Sequence, residues 1–246
     1  MSGAKETPRQ KMIGMMYLVL TALLALNISK EVLDGFVKVE NSLLQTQSTL
    51  SSKISDTYSA LEGKYSSNQV KVGPFYDQAQ AIVKKSDDLV RYITELKARC
   101  LSTSSGDFEE QELVNFENYI GVDENGNDTT LNLAYIRVKD EYQSLTRYMV
   151  GADEKNPIEG EWTANGIRLA VQEYRDYLLN MSVTDIDGNI ISLPANTIKS
   201  LNERFSFEQE MKSDKMVSWE IANFHKMPLA AVMPLMSKMI IDIRDA

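Results

Sequence analysis

The sequence predicts an all-α protein in which a single N-terminal transmembrane helix continues into a periplasmic helical bundle. Three observations carry that prediction. An uncharged, largely apolar run of eighteen residues, Met12 to Ser29, lies between basic residues near the start of the chain. Beyond it, apolar residues recur at steps of three, four and seven, the period of helices with one buried face. The only stretch that reads as strand is the short NIIS segment after Gly188.

Composition narrows the class before any element is placed. The chain has 246 residues, 43% hydrophobic, with 26 Lys plus Arg against 35 Asp plus Glu for a net charge of −9, and a mean hydropathy of −0.28. Such averages describe an acidic globular protein and exclude collagenous, low-complexity and wholly disordered chains. Nucleic acid is excluded as a partner, because a binder must neutralise phosphates with clustered Lys and Arg. The single cysteine, Cys100, cannot make an intramolecular disulfide and rules out a Cys-based zinc cluster.

The first element is the membrane helix. Eighteen residues at about 1.5 Å each span roughly 27 Å, close to the ~30 Å hydrocarbon thickness of a bilayer. Thr7 can cap, Pro8 suits the first helical position, and Gln10 stands where a capping box wants Glu or Gln, so the helix starts before the apolar run with Arg9 in its first turn. A cleaved signal peptide would need an A-x-A-like exit, whereas Ala22 and Ala25 are three apart. A soluble core helix rarely stays apolar on all faces for this length. Lys5, Arg9 and Lys11 precede the span, while Glu31 and Asp34 follow Lys30. The positive-inside rule therefore gives a cytoplasmic N-terminus over 1–11, a crossing over 12–30 and an exported domain over 31–246. The exported part carries 22 basic and 34 acidic residues, about −12. In a bacterium its compartment is the periplasm and its anchor the inner membrane.

The next helix takes its stripe from Leu33, Phe36, Leu43, Leu50, Ile54, Tyr58 and Leu61, with Glu40 and Gln47 in two seam positions, and runs to about Glu62. KYSSNQVKVGP breaks the pattern. Gly73 and Pro74 open a second helix with Phe75, Ala79, Ile82, Leu89, Ile93, Leu96 and Cys100 on its face, ending near 102–107 and forming an antiparallel pair with the first. Phe108 to Tyr119 reads as a short helix and DENGND at 123–128 as a turn. Leu133 to Met149 has helical spacing through Ile136, Tyr142 and Leu145, and 154–162 is a loop. Thr163 to Met181 restores the period, TDIDGN at 184–189 turns, and Pro194 to Phe205 is a short helix. A last helix, interrupted by Pro228 and Pro234, runs through Leu229, Val232, Leu235 and Met239.

Catalytic readings fail on inventory, and no enzyme, cofactor or metal site is expected. The lone histidine, His225, reads as a surface or cap residue, and Cys100 as a core residue. DENGND and DIDGN place Gly126 and Gly188 at the fourth position rather than the sixth of a calcium loop and lack its terminal Glu, so both read as turns. What stands out chemically is Arg9, with Lys11, at the mouth of the membrane helix. It is either a positive-inside anchor snorkelling to lipid phosphates or one half of an ion pair with a carboxylate of another membrane protein. Gly14, Ala22 and Ala25, with Thr21 and Ser29, offer small faces where another helix could approach; Tyr17, Asn27 and Lys30 complete the candidate packing and membrane-flank residues.

The string TPRQKMIGMMYLVLTALLALNISKEVLDGF, residues 7–36, resembles the start of the GldM/PorM family, the inner-membrane subunit of the type 9 secretion and gliding machinery of Bacteroidota. FHKMPLAAVMPLMSKMIIDIRDA resembles the helical segment leading out of that family's first periplasmic domain. The resemblance implies a homodimer whose two membrane helices lie within a ring of GldL/PorL subunits, forming a motor driven by the proton-motive force. The family's membrane-face arginine falls on Arg9, with a protonatable glutamate of GldL as its partner. The family also has β-rich domains that reach outer-membrane-associated GldK and GldN. The chain stops at Ala246 without them, so it is expected to be the N-terminal part of the family's length. A single-pass receptor, or a tether with a periplasmic ligand- or partner-binding domain, is the other class of function that the sequence leaves open.

Overall fold

A computed structural model describes residues 7–26, 30–105, 133, 136–153, 155–212 and 214–246, with the side chains of 22–26 excepted. In chain order the elements are α1 (Pro8–Leu26), α2 (Lys30–Ser67), α3 (Gln69–Ser105), α4 (Gln143–Met149), α5 (Ala164–Leu179), β1 (Ser182–Thr184), β2 (Ile190–Ser192), α6 (Ala195–Arg204), β3 (Glu210–Lys212), β4 (Lys215–Val217), α7 (Trp219–Phe224) and α8 (Leu229–Arg244). The fold is mostly helical, with two small antiparallel hairpins, β1–β2 and β3–β4. Among the described residues no helix is long and apolar enough to cross a membrane. The expected crossing over 12–30 includes 27–29, which lie outside them.

α2 and α3 are nearly one hairpin of two long helices. Only Asn68 separates them, and its side-chain Oδ1 accepts from the Lys71 amide at 3.1 Å, an N-cap. This corrects the expected second helix start at Gly73–Pro74: α3 begins at Gln69 and contains Pro74. The apolar stripe could not show the extra turn because Val70 is exposed. At the tip, Tyr76 stacks on Tyr65 with centroids 4.4 Å apart and meets Tyr58 at 5.9 Å.

α3 is the centre of the fold. One side packs on α2 and α8, which also pack on each other, and the other meets α4 and α5. Its buried face, Leu89, Val90, Ile93, Leu96, Cys100 and Leu101, lies entirely in its C-terminal part, so the hairpin's far end stands out from the core as an arm. Ser237 of α8 meets Glu40 of α2, and the C-terminal residues Asp245 and Ala246 line a cleft with Leu50. α8 thus runs parallel to α2 and antiparallel to α3. α8 is buried from Leu229 to Met236 with only Leu235 partly open, as expected of a helix apolar on nearly all sides.

Two further expectations are corrected. Leu133 to Met149 is not one helix; among the described residues only Gln143–Met149 is α-helical. The carbonyls of Lys139 and Glu141 instead accept from the Ala230 and Leu229 amides, each at 2.9 Å, and so satisfy the otherwise orphaned start of α8. The last helix is interrupted at Pro228, the N-cap of α8 after α7 ends at Phe224, but not at Pro234, which lies inside an unbroken α8. The hairpin β3–β4 was not expected from the sequence, while DIDGN forms the turn between β1 and β2. The predicted helix at 108–119 and the DENGND turn fall outside the described residues.

At the start of α5 the chain folds back so tightly that a side chain is excluded. A Cβ on Gly166 would lie 2.1 Å from the Glu161 carbonyl oxygen and 2.4 Å from that of Gly160. Gly166→Ala is therefore expected to destabilise the domain by about 2–3 kcal/mol, the upper part of the ordinary point-mutant range. Thr163→Ala, which removes the cap accepting from the Gly166 amide at 3.3 Å, should cost only about 1 kcal/mol. Denaturant midpoints of the two variants check this order.

Candidate functional site

α1 starts as its capping box requires. Thr7 Oγ1 accepts from the Gln10 amide at 3.4 Å while Gln10 Oε1 accepts from the Thr7 amide at 3.1 Å, and Pro8 is the first helical residue. Arg9 therefore occupies the first turn and is exposed, with no ion pair among the described residues. A cation there faces the positive end of the helix dipole, which disfavours it by about 0.3–1 kcal/mol. Lys11 shares that disadvantage. Arg9 and Lys11 thus present positive charge at a helix end that itself attracts anions.

The other candidates on α1 divide by helical position. Gly14, Tyr17 and Thr21 follow at steps of three and four and share one face, whereas Arg9 lies in register with Ile13, Met16 and Leu20. Nothing lies within 4 Å of a Cβ built on Gly14. Thr21 turns its hydroxyl back to donate to the carbonyls of Tyr17 and Leu18 at 2.7 and 3.1 Å, so it presents little polarity outward. Met12 to Leu20 are exposed on every side. Ala22 and Ala25 belong to α1 by backbone only, Asn27 lies outside the described residues, and Lys30 is the exposed first residue of α2. The structure thus places Arg9 and the small-residue face on different sides of one helix.

A second constellation lies in the core, and sequence reasoning missed it. Glu40, the only buried residue of α2, meets Lys97 of α3 and Ser237 of α8. Lys97 Nζ donates to Glu40 Oε1 at 2.9 Å and to Ser237 Oγ at 2.6 Å, and Ser237 Oγ is 2.8 Å from the same Glu40 oxygen. All three side chains are 2% exposed or less. Burial pulls the Lys97 ammonium below the usual lysine range, and the Glu40 carboxylate opposes that pull. Glu40 Oε2 has no hydrogen-bond partner. The signal was present: Glu40 stood in the α2 seam, and Lys97 falls beside Ile93, Leu96 and Cys100 on the α3 face.

The remaining candidates stay structural. Asp185 spends its carboxylate on its own turn, accepting from the amides of Asp187 and Asn189 at 2.9 and 2.8 Å and from Asn189 Nδ2 at 3.0 Å; these bonds, the Asn189 side chain first, hold its carboxyl below the ordinary range. His225 is the C-cap of α7. Among the described residues no group of three or more His, Cys, Asp or Glu could hold a metal ion. Cys100 is fully buried, with Sγ 3.5 Å from Met149 Sδ, and burial pushes its thiol far up. A thiol-titrating reagent at pH 8 is expected to leave the native protein untouched and to find the cysteine only after denaturation. Rapid reaction of the folded protein would contradict the closed core.

The family model for the GldM N-terminal domain matches residues 31–246. The chain belongs to the GldM family. The GldM match starts one residue into α2 and takes in the buried Glu40–Lys97–Ser237 cluster; α1, with Arg9, precedes it. No curated protein matches the chain. Membership of the GldM family supports a component of the type 9 secretion and gliding machinery.

Proposed function

We propose that the protein is a non-enzymatic, single-pass subunit of the inner-membrane motor that powers type 9 secretion and gliding, driven by the proton-motive force. The observation that carries this reading is the GldM-domain match over residues 31–246, from the second residue of α2 through α8. In it, residues 12–30 cross the membrane, two copies of the chain pair, and Arg9 engages a carboxylate of the surrounding GldL/PorL ring. The uncharged run from Met12 to Ser29 supports the crossing, and the capped helix start that exposes Arg9 supports the ion pair. α2 carries motion from the membrane into the periplasmic bundle. Contact with GldK and GldN at the outer membrane belongs to the family's later domains.

Co-expression with GldL followed by detergent purification tests the reading. A tight, stoichiometric complex is expected, with two copies of this chain. Purification of this chain alone would favour a single-pass receptor or tether instead.

A further inference from the structure

The seam between α2 and its neighbours is nearly periodic. Leu33, Phe36 and Val37 pack against the core, and Leu43, Leu44, Leu50 and Ile54 continue the half-buried face at steps that repeat every turn or two. Such a seam does not by itself choose one axial position, because a slide of one turn, about 5.4 Å, brings similar apolar residues opposite similar holes. Polar residues in a seam remove that degeneracy. Here the buried polar residue of α2 is Glu40, and its partners come one from each of the two helices that α2 packs on.

The neighbours of those partners make a slide costly. One turn from Lys97 on α3 stand Ile93 and Leu101, and one turn from Ser237 on α8 stand Met233 and Ile241. A one-turn displacement in either direction would set the Glu40 carboxylate against those apolar side chains and leave the Lys97 ammonium buried without its counter-charge. Gln47, one heptad on, is only half-buried and reaches the solvent instead.

We propose that Glu40, Lys97 and Ser237 act as a register lock that fixes the axial position of α2 against α3 and α8, so that a push or pull on the start of α2 moves the bundle as one body. The three are positioning residues: they join helices and take no part in chemistry. The inference rests on the reading of α2 as the element that carries motion from the membrane.

The test uses the full chain with spin labels at exposed positions 51 and 238, which are offset along the α2 and α8 axes. The lock predicts one narrow distance in the otherwise unaltered protein. Glu40→Leu with Lys97→Met replaces the pair by apolar groups of similar size, a change that usually preserves or raises stability. It should keep the thermal midpoint, yet add a second distance shifted by up to about 5 Å, one helical turn. Glu40→Gln with Lys97→Met, which keeps an acceptor for Ser237, is read the same way, and Glu40→Lys with Lys97→Glu should restore the single distance. A single unshifted distance in both of these folded, uncharged variants overturns the lock. Secretion and gliding are measured in cells carrying the same variants. A second distance with secretion lost supports both statements, whereas a second distance with secretion unchanged leaves the lock standing and overturns the role of α2 as transmitter.

Discussion

Lys97→Met alone is expected to lower the thermal midpoint by on the order of 10 °C. The substitution removes the ammonium that donates to Glu40 at 2.9 Å and leaves a fully buried carboxylate with one remaining hydrogen bond, from Ser237. Its second oxygen already lacks a partner. Breaking a buried pair from one side costs about 3–5 kcal/mol, because the surviving charge must stay dehydrated or be neutralised. Against a total stability of roughly 5–15 kcal/mol, that is a large share. The apolar double variant should recover most of it, since removing both charges leaves nothing to desolvate. Thermal denaturation of the single and double variants separates the two effects. A midpoint within a degree or two of the parent for Lys97→Met alone would mean that water reaches the pair.

The contrast with surface charges follows from burial. Lys199 and Glu203 form an i,i+4 pair at 3.7 Å with both side chains largely exposed, and such pairs contribute at most about 1 kcal/mol. Arg168 and Glu220 join α5 to α7 in a more sheltered place, with Gln172 sharing the guanidinium at 2.8 Å. The Glu40–Lys97 pair differs from both in being closed on all sides by three helices. Among the ion pairs of the described residues it is the one with both side chains fully buried.

How far the sequence revealed this fold depends on where each element finds its partners. The stripes of α2 and α3 were legible because both helices bury one face along several turns, and α5 was legible for the same reason, though its cap at Thr163 was not read. The start of α3 was not, because its first turn faces solvent and its helical state is set by the Asn68 cap rather than by periodicity. Residues 136–142 mimicked a helix in spacing, but the carbonyls of Lys139 and Glu141 went to the start of α8, a partner some ninety residues away. The hairpin β3–β4 has strands of three residues and a turn carried by Asp214 at φ 62, too little pattern to read. The capping box on α1 was local, so sequence and structure agree there atom for atom. The charged pair in the core was half visible: two opposite charges stood on the facing stripes of a predicted hairpin, but Ser237 on α8 had no signal of its own.

Arg9→Ala is expected to abolish secretion and gliding while leaving co-purification with GldL intact. Assembly should survive because helix packing within the membrane rests on shape along the whole span, and the Gly14–Tyr17–Thr21 face does not include Arg9. Motion should fail because without the permanent guanidinium charge, protonating and deprotonating the partner carboxylate no longer breaks and remakes an ion pair. At the first turn of α1 the guanidinium stands against the helix dipole, a small cost that an external anion beside it would offset. If that anion is a carboxylate of the ring, protonating it removes the attraction and deprotonating it restores the pair, once per proton. Moving one charge through 100 mV supplies about 2.3 kcal/mol, comparable with the worth of a partly shielded ion pair, so the cycle is energetically feasible. Lys11→Ala, which keeps Arg9, should act more weakly, and Arg9→Lys should retain part of the activity by keeping the charge without the bidentate geometry. Secreted-protein levels and colony spreading are the measurements. Undiminished activity in Arg9→Ala would falsify the ion-pair reading and leave Arg9 as an anchor to lipid phosphates, a role that Lys11 could fill in its place.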